Sequence, residues 1–345
     1  MGKQSNFRVG RRALVIGAGA AAFGAPAILR AAPAQMVISN GGGKLEEAYQ
    51  ATHFAAWTQK TGIKIIGGAN TGAKLKAMVE QKAVEWDVSQ QAAELAAVMA
   101  RQGLLEPLDY SVIDKSRMLP GTAHEHFIMS DVVAYHIAWN TKNVKPDAAP
   151  KDWAAMWATK GRKGLWKRAF QTMEVALMAD GVEKDKLYPL DVERAFRSLG
   201  KIKSDTLFWA TGAQSAQILI DGEVEVAATW NGRVHDPKKA GAPVDYHFNQ
   251  SLFVSDAWCI PKGAKYKKES MEFIAFAMSA AQQAAFAKLI PYGPTNEAAM
   301  ALIDPAIAPA LPSSAVNFHK GAFLDVNFWA ENGDKLTERF NQWVL

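Results

Sequence analysis

Short apolar runs alternate with stretches at helical spacing through the first third of the chain. Residues 36–39 read as a buried strand, which Gly41-Gly42-Gly43 breaks. Leu45, Tyr49, Phe54 and Trp57 then fall near helical spacing and predict a helix over 44–61, ended by Thr61-Gly62. A strand follows at 63–66, a helix at 71–82, a strand at 86–89 and a helix at 92–102, stopped by Gly103. Strand alternating with helix predicts a parallel sheet covered by helices on both faces, with any ligand at one edge.

A strand-rich stretch over 127–139 leads into a second mixed unit. Helices are expected at 150–159, 172–180, 191–202 and 214–221, and strands at 165–166, 206–209 and 224–229. The apolar run 252–260 reads as one more strand. Helices then dominate to the end, at 268–279, 281–288, 296–302 and 327–343. The chain visits a second α/β unit and returns. That predicts two lobes joined by crossing strands, with the cleft between them as the default ligand site.

Composition narrows the classes. With 49% hydrophobic and 21% charged residues among 345, disorder and fibrous repeats are excluded. Cys259 is the only cysteine, so neither an intrachain disulfide nor a cysteine-based zinc site can form. The formal charge of +5 is misleading. Five of the 39 basic residues (Lys3, Arg8, Arg11, Arg12 and Arg30) lie in 1–34, a stretch with no acid, so 34 basic residues face 34 acidic ones beyond it. A nucleic-acid partner has no electrostatic support.

Residues 1–34 read as an export signal. Arg11-Arg12 precedes a weakly apolar run over 13–29, and Ala32-Pro33-Ala34 supplies small residues that place cleavage before Gln35. The paired arginines resemble a twin-arginine signal; an ordinary secretory signal is the alternative. The run is shorter than the ~20 residues a spanning helix needs. The expected mature protein is soluble and periplasmic.

Several stretches carry a resemblance. They are KTGIKI at 60–65, WDV at 86–88, QGLLEPLD at 102–109, WAAMW at 153–157, IDGEV at 220–224, TWNG at 229–232, DAWCIPKGA at 256–264 and IPYGPTN at 290–296. In this order and spacing the chain resembles the polyamine (spermidine/putrescine)-binding-like branch of the extracellular solute-binding proteins of ABC transporters. The resemblance implies a type II periplasmic-binding-protein fold: two α/β lobes, each a β-sheet flanked by helices, with hinge crossings near 135–140 and 256–260. It implies lobe 1 at 35–136 plus 257–345 and lobe 2 at 137–256. It further implies a monomer that hands a small solute to permease subunits, with no cofactor and no catalysis.

Against polyamine binders, the segment 167–172 (Lys-Arg-Ala-Phe-Gln-Thr) lacks the carboxylates that box ligand ammoniums there, and Val254 replaces an aromatic residue. Trp230, Asp256 and Tyr292 match binding positions. The resemblance thus points to a solute bearing both an amine and a carboxylate: amino-acid-like, opine-like or polyamine-related.

The residues carry their own alternatives. Backbone N–H groups at Gly41 and Gly42 suit an anion at a strand-to-helix loop, or form a plain tight turn. Asp256 needs a cation, either a ligand ammonium or a structural partner at the hinge. Trp230 can cover an alkyl or ammonium group. Asn231 offers donors and an acceptor. Arg168 and Arg233 each offer a fork for a carboxylate, or are solvated surface arginines. Trp209 is either a ligand contact or a core residue. His124 and His126 flank Glu125 on one face of an expected strand, a weak metal pattern without a third ligand. No G-x-S-x-G, H-E-x-x-H or Walker loop occurs. The rival class is an exported enzyme on a two-lobed α/β fold, or an exported protein folded around a cofactor.

Overall fold

A computed structural model describes residues 1–2, 33–69 and 71–345; the expected signal and its paired arginines lie outside the described residues. All regular structure among the described residues falls within 33–345.

The strands are β1 (Gln35–Asn40), β2 (Lys64–Ala69), β3 (Val88–Ala92), β4 (Phe127–Met129), β5 (Asp131–Asn140), β6 (Lys163–Trp166), β7 (Thr206–Trp209), β8 (Val226–Trp230), β9 (Val244–Tyr246), β10 (Leu252–Val254), β11 (Asp256–Cys259), β12 (Gly293–Pro294) and β13 (Ala322–Phe323). The α-helices are α1 (Gly43–Tyr49), α2 (Ala55–Thr61), α3 (Gly72–Glu80), α4 (Ala93–Arg101), α5 (Trp153–Ala158), α6 (Ala169–Ala179), α7 (Val192–Gly200), α8 (Gly212–Ile220), α9 (Asn231–Lys239), α10 (Lys267–Ala277), α11 (Ala280–Ala287) and α12 (Val326–Val344). A π-helical stretch, Gln50–Phe54, joins α1 to α2 into the single helix expected over 44–61.

Two sheets result. The first runs β2-β1-β3-β11-β4; β1 pairs parallel with β2 and β3, as the alternation predicts, and β11 is antiparallel to β3 and β4. The second runs β13-β10-β5-β8-β6-β7, with β9 and β12 also pairing β5. Every residue of β5 is buried. A strand covered on both faces carries a near-continuous apolar run, and two of its polar members find backbone carbonyl partners. Asn140 Nδ2 donates to Leu219 O at 2.8 Å, and His136 Nδ1 lies 3.0 Å from Ile137 O.

Local chemistry starts the helices where the pattern predicts. Side-chain oxygens of Thr71, Asp152, Asp191 and Thr211 accept from Lys74, Ala155, Arg194 and Gln214 N–H groups. Each such cap stabilises by ~0.5–2 kcal/mol. Gly62, at φ 77°, closes α2 in the left-handed region.

The apolar run 252–260 is not one strand. It divides at Ser255: β10 belongs to the second sheet and β11 to the first. The other changeover falls at Ser130, between β4 and β5, upstream of the crossing expected near 135–140. The two changeovers are tied together, because Ser130 N donates to Asp256 O at 2.8 Å and Asp256 N donates to Asp131 Oδ1 at 3.1 Å. Helix α12 packs against α4, which follows a strand of the first sheet, and α6, which follows a strand of the second. Residues 231–239, unassigned by pattern, form α9, and 297–302 form a 3₁₀ turn rather than an α-helix. His124 is in no strand and residues 125–126 bend, which removes the shared strand face expected for His124 and His126. Among the described residues no helix is long and apolar enough to cross a membrane.

Candidate functional site

The changeovers open onto a cleft with two connected parts. The inner chamber, about 170 Å³, is lined by Ala92, Glu94, Val133, Trp166, Gln171, Trp230, Val254, Ser255, Asp256 and Tyr292. Both sheets contribute. The outer chamber, about 630 Å³, shares Asp256 and Tyr292 and is bordered by Gly41, Gly42, Lys44, Arg233 and Asp236.

The aromatic wall is built from strand ends. Trp166 closes β6 and Trp230 closes β8; their rings meet edge to face at 4.7 Å between centroids. Trp230 Nε1 donates to Gln171 Oε1 at 2.9 Å. Gln171 holds φ 66°, in the left-handed region rarely adopted by a non-glycine residue. Strain of this kind persists where surroundings over-determine it. Here the Trp230 bond and the neighbouring bond from Thr172 Oγ1 to Trp166 O, 3.0 Å, tie the segment down.

Tyr292 reaches the chamber on a loop held from the second sheet. Asn231 is fully buried: its Oδ1 accepts from Ala134 N at 3.0 Å and its Nδ2 donates to Pro291 O. Gly232 makes room for the phenol, since a Cβ there would lie 2.8 Å from Tyr292 Cε1.

The electrostatics are acidic. Burial raises the Asp256 carboxyl to about 6. Burial, and then the Asp256 charge, lift Asp131 well above the usual carboxylate range. Burial raises Glu94 to about 7, assisted by Asp256 and opposed by Arg168. Burial raises the Tyr292 phenol too, with Asp256 and Asp131 adding to it. No lysine or arginine is among the inner chamber's described lining residues. Such a site favours a cation that restores the missing positive charge.

The expected residues separate into groups. Trp230, Asp256 and Tyr292 meet at the inner chamber; Gly41, Gly42 and Arg233 border the outer one. The turn reading gains at Gly42, whose N–H is already taken by Asn40 Oδ1 at 2.8 Å. Two candidates are corrected. Trp209 is fully buried, stacks on Trp166 at 5.7 Å and donates to Ala228 O at 3.2 Å, so it backs the wall without facing solute. Asn231 spends both ends of its amide on the backbone of Ala134 and Pro291. Arg168 is exposed, its guanidinium over the rings of Trp166 and Phe170 at 5.2 and 6.0 Å. Sequence reasoning missed Glu94, Trp166 and Gln171. Trp166 and Gln171 flank or lie in the aligned 167–172 segment and were within reach. Glu94 reads only as an acid in a helix's first turn.

The sequence profile described as bacterial extracellular solute-binding protein matches residues 50–313. The gamma-aminobutyric acid-binding protein of Pseudomonas aeruginosa is 33% identical over 320 residues, covering 90% of each chain. The solved structure of the Atu4243 GABA receptor is 37% identical with a TM-score of 0.84, covering 90% of this chain and 98% of that one. The structure of the periplasmic binding protein AgtB from A. tumefaciens R10, in complex with agropinic acid, is 34% identical with a TM-score of 0.77 over the same shares.

Proposed function

This chain belongs to the bacterial extracellular solute-binding proteins, and from that premise we propose that it captures a small solute carrying both an amine and a carboxylate and presents it to the permease of an ABC importer. The observation that carries this reading is the charge layout of the cleft: Glu94 and Asp256 in the inner chamber, with no lysine or arginine among its described lining residues, and Arg233 at the outer one, where Lys44 is paired with Asp236. Relatives named for gamma-aminobutyric acid and agropinic acid support the same class. At ~30 Å³ per water-sized group, the inner chamber suits an ammonium head and a short stem.

In this reading Asp256 takes the ammonium and Trp230 covers the stem beside Tyr292. Arg233 takes the anionic end, with Arg168 held at the rim. The lobes are the two sheets with their helices, turning about Ser130 and Ser255, and a solute touching both lobes stabilises the closed form. Export proceeds through the leader, with the paired arginines as a twin-arginine signal. Cleavage before Gln35 starts the mature periplasmic monomer at its first strand, β1. The protein makes and breaks no bond.

A thermal-shift panel of gamma-aminobutyrate, other amino acids, opines, polyamines and sugars tests this. A solute at 1,000 times its dissociation constant adds ~4 kcal/mol to stability. The expected result is a rise with amine–carboxylate solutes, each recovered chemically unchanged. Conversion of the solute favours the enzyme reading instead.

A further inference from the structure

We propose that Glu94 is a specificity-determining residue: with Asp256 it reserves the inner chamber for a primary ammonium group and turns away a quaternary one. This rests on the proposed capture of an amine-bearing solute.

The two carboxylates reach the chamber from different elements, Glu94 from the first turn of α4 and Asp256 from the start of β11. No side-chain donor among the described residues hydrogen-bonds either carboxylate. The Asp256 main chain is engaged, its N–H on Asp131 Oδ1 and its carbonyl on Ser130, while the carboxylate itself is left to the cavity. An acid in a first turn ordinarily serves the helix dipole from the solvent side. Glu94, half-buried, instead lines the same chamber as Trp166, Trp230 and Tyr292.

Aromatic rings alone accept any cation, quaternary ones included, because the attraction is to charge. Carboxylate oxygens ask for N–H donors, and a primary ammonium brings three. A trimethylammonium group desolvates both carboxylates and offers no donor to either. Leaving buried acceptors unmet at this level corresponds to a loss of about 10- to 100-fold in affinity.

Proton linkage supplies an independent readout. The charged and titratable groups around Glu94 are Asp256 on β11, Arg168 at the start of α6, Tyr292 on the loop before β12, and Asp131 on β5 behind Asp256. Burial raises Glu94 to about 7 and Asp256 to about 6. A bound ammonium favours their ionised forms, so protons compete with it. Affinity is therefore full above both values and weakens as pH falls through 7 and then 6.

The test is titration calorimetry of 4-aminobutyrate and putrescine against their trimethylammonium counterparts, at pH 8 and pH 6, with wild type, Glu94→Gln and Glu94→Asp. Melting curves check that the variants fold. The expected wild-type result is at least tenfold preference for the primary amine and weaker binding at pH 6. Glu94→Gln narrows the preference to within about threefold and flattens the pH dependence, and Glu94→Asp restores part of both. Equal binding of the two amine classes by wild type overturns the proposal, as does an unchanged preference in Glu94→Gln. If no amine of either class binds, the functional reading falls and this proposal falls with it, an outcome distinct from a failed ratio.

Discussion

Two aspartates border the outer chamber. Asp236, on α9, has a side chain 50% exposed and meets Lys44, 79% exposed, at 3.4 Å. Asp256, on β11, sits where the chain changes sheets, is raised to about 6 by burial, and has no cationic partner among the described residues. One carboxylate is solvated and paired across the cleft by a flexible lysine. The other is half-buried with no such partner, and in the proposed binding mode it takes the solute's ammonium. Exposed pairs contribute ~0–1 kcal/mol, whereas breaking a buried pair costs several. Burial, and not residue type, separates the two acids, so only Asp256 is expected to gain much from a ligand's charge.

The largest expected effect lies behind the inner wall. Trp209→Ala removes a fully buried ring that supports Trp166 and should destabilise the protein by ~3–5 kcal/mol in urea unfolding. A loss below ~1 kcal/mol means that Trp209 does not support the wall. Next comes Asp256→Asn, which keeps shape but removes charge. Its expected loss is ~2–5 kcal/mol of ligand affinity, roughly 30-fold to a few thousandfold, read by calorimetry with a solute the wild type binds. Lys44→Ala is the smallest: affinity should move by less than ~1 kcal/mol, and less still at high salt. A larger loss there equalises the two aspartates and breaks the comparison.

The β1-β2-β3 part of the first sheet was legible because its strands and helices alternate with clear periods and breakers. The changeover at Ser255 was not. An uninterrupted apolar run reports that 252–260 is buried but says nothing about which sheet buries each half. Helix α9 was hidden because Gly232 near its start and Pro237 inside it are residue types that ordinarily interrupt a helix. Within the site, position along an aligned stretch could place Trp230 and Asp256 but could not tell a wall residue from its backing, hence the correction of Trp209. Asn231 looked like a ligand donor, and only three dimensions reveal that Ala134 and Pro291 consume it. Glu94 was invisible for the opposite reason, since its local context has an ordinary helical explanation.

In the proposed binding mode the cleft holds a solute by opposite charges at its two ends. Calorimetric titration of the wild type with 4-aminobutyrate, butyrate and putrescine tests it most directly, because each of the latter two keeps one end and loses the other. 4-Aminobutyrate is expected to bind at least ~30-fold tighter than either, since losing one paired end costs ~2 kcal/mol or more. Putrescine or butyrate binding as tightly as 4-aminobutyrate would contradict it.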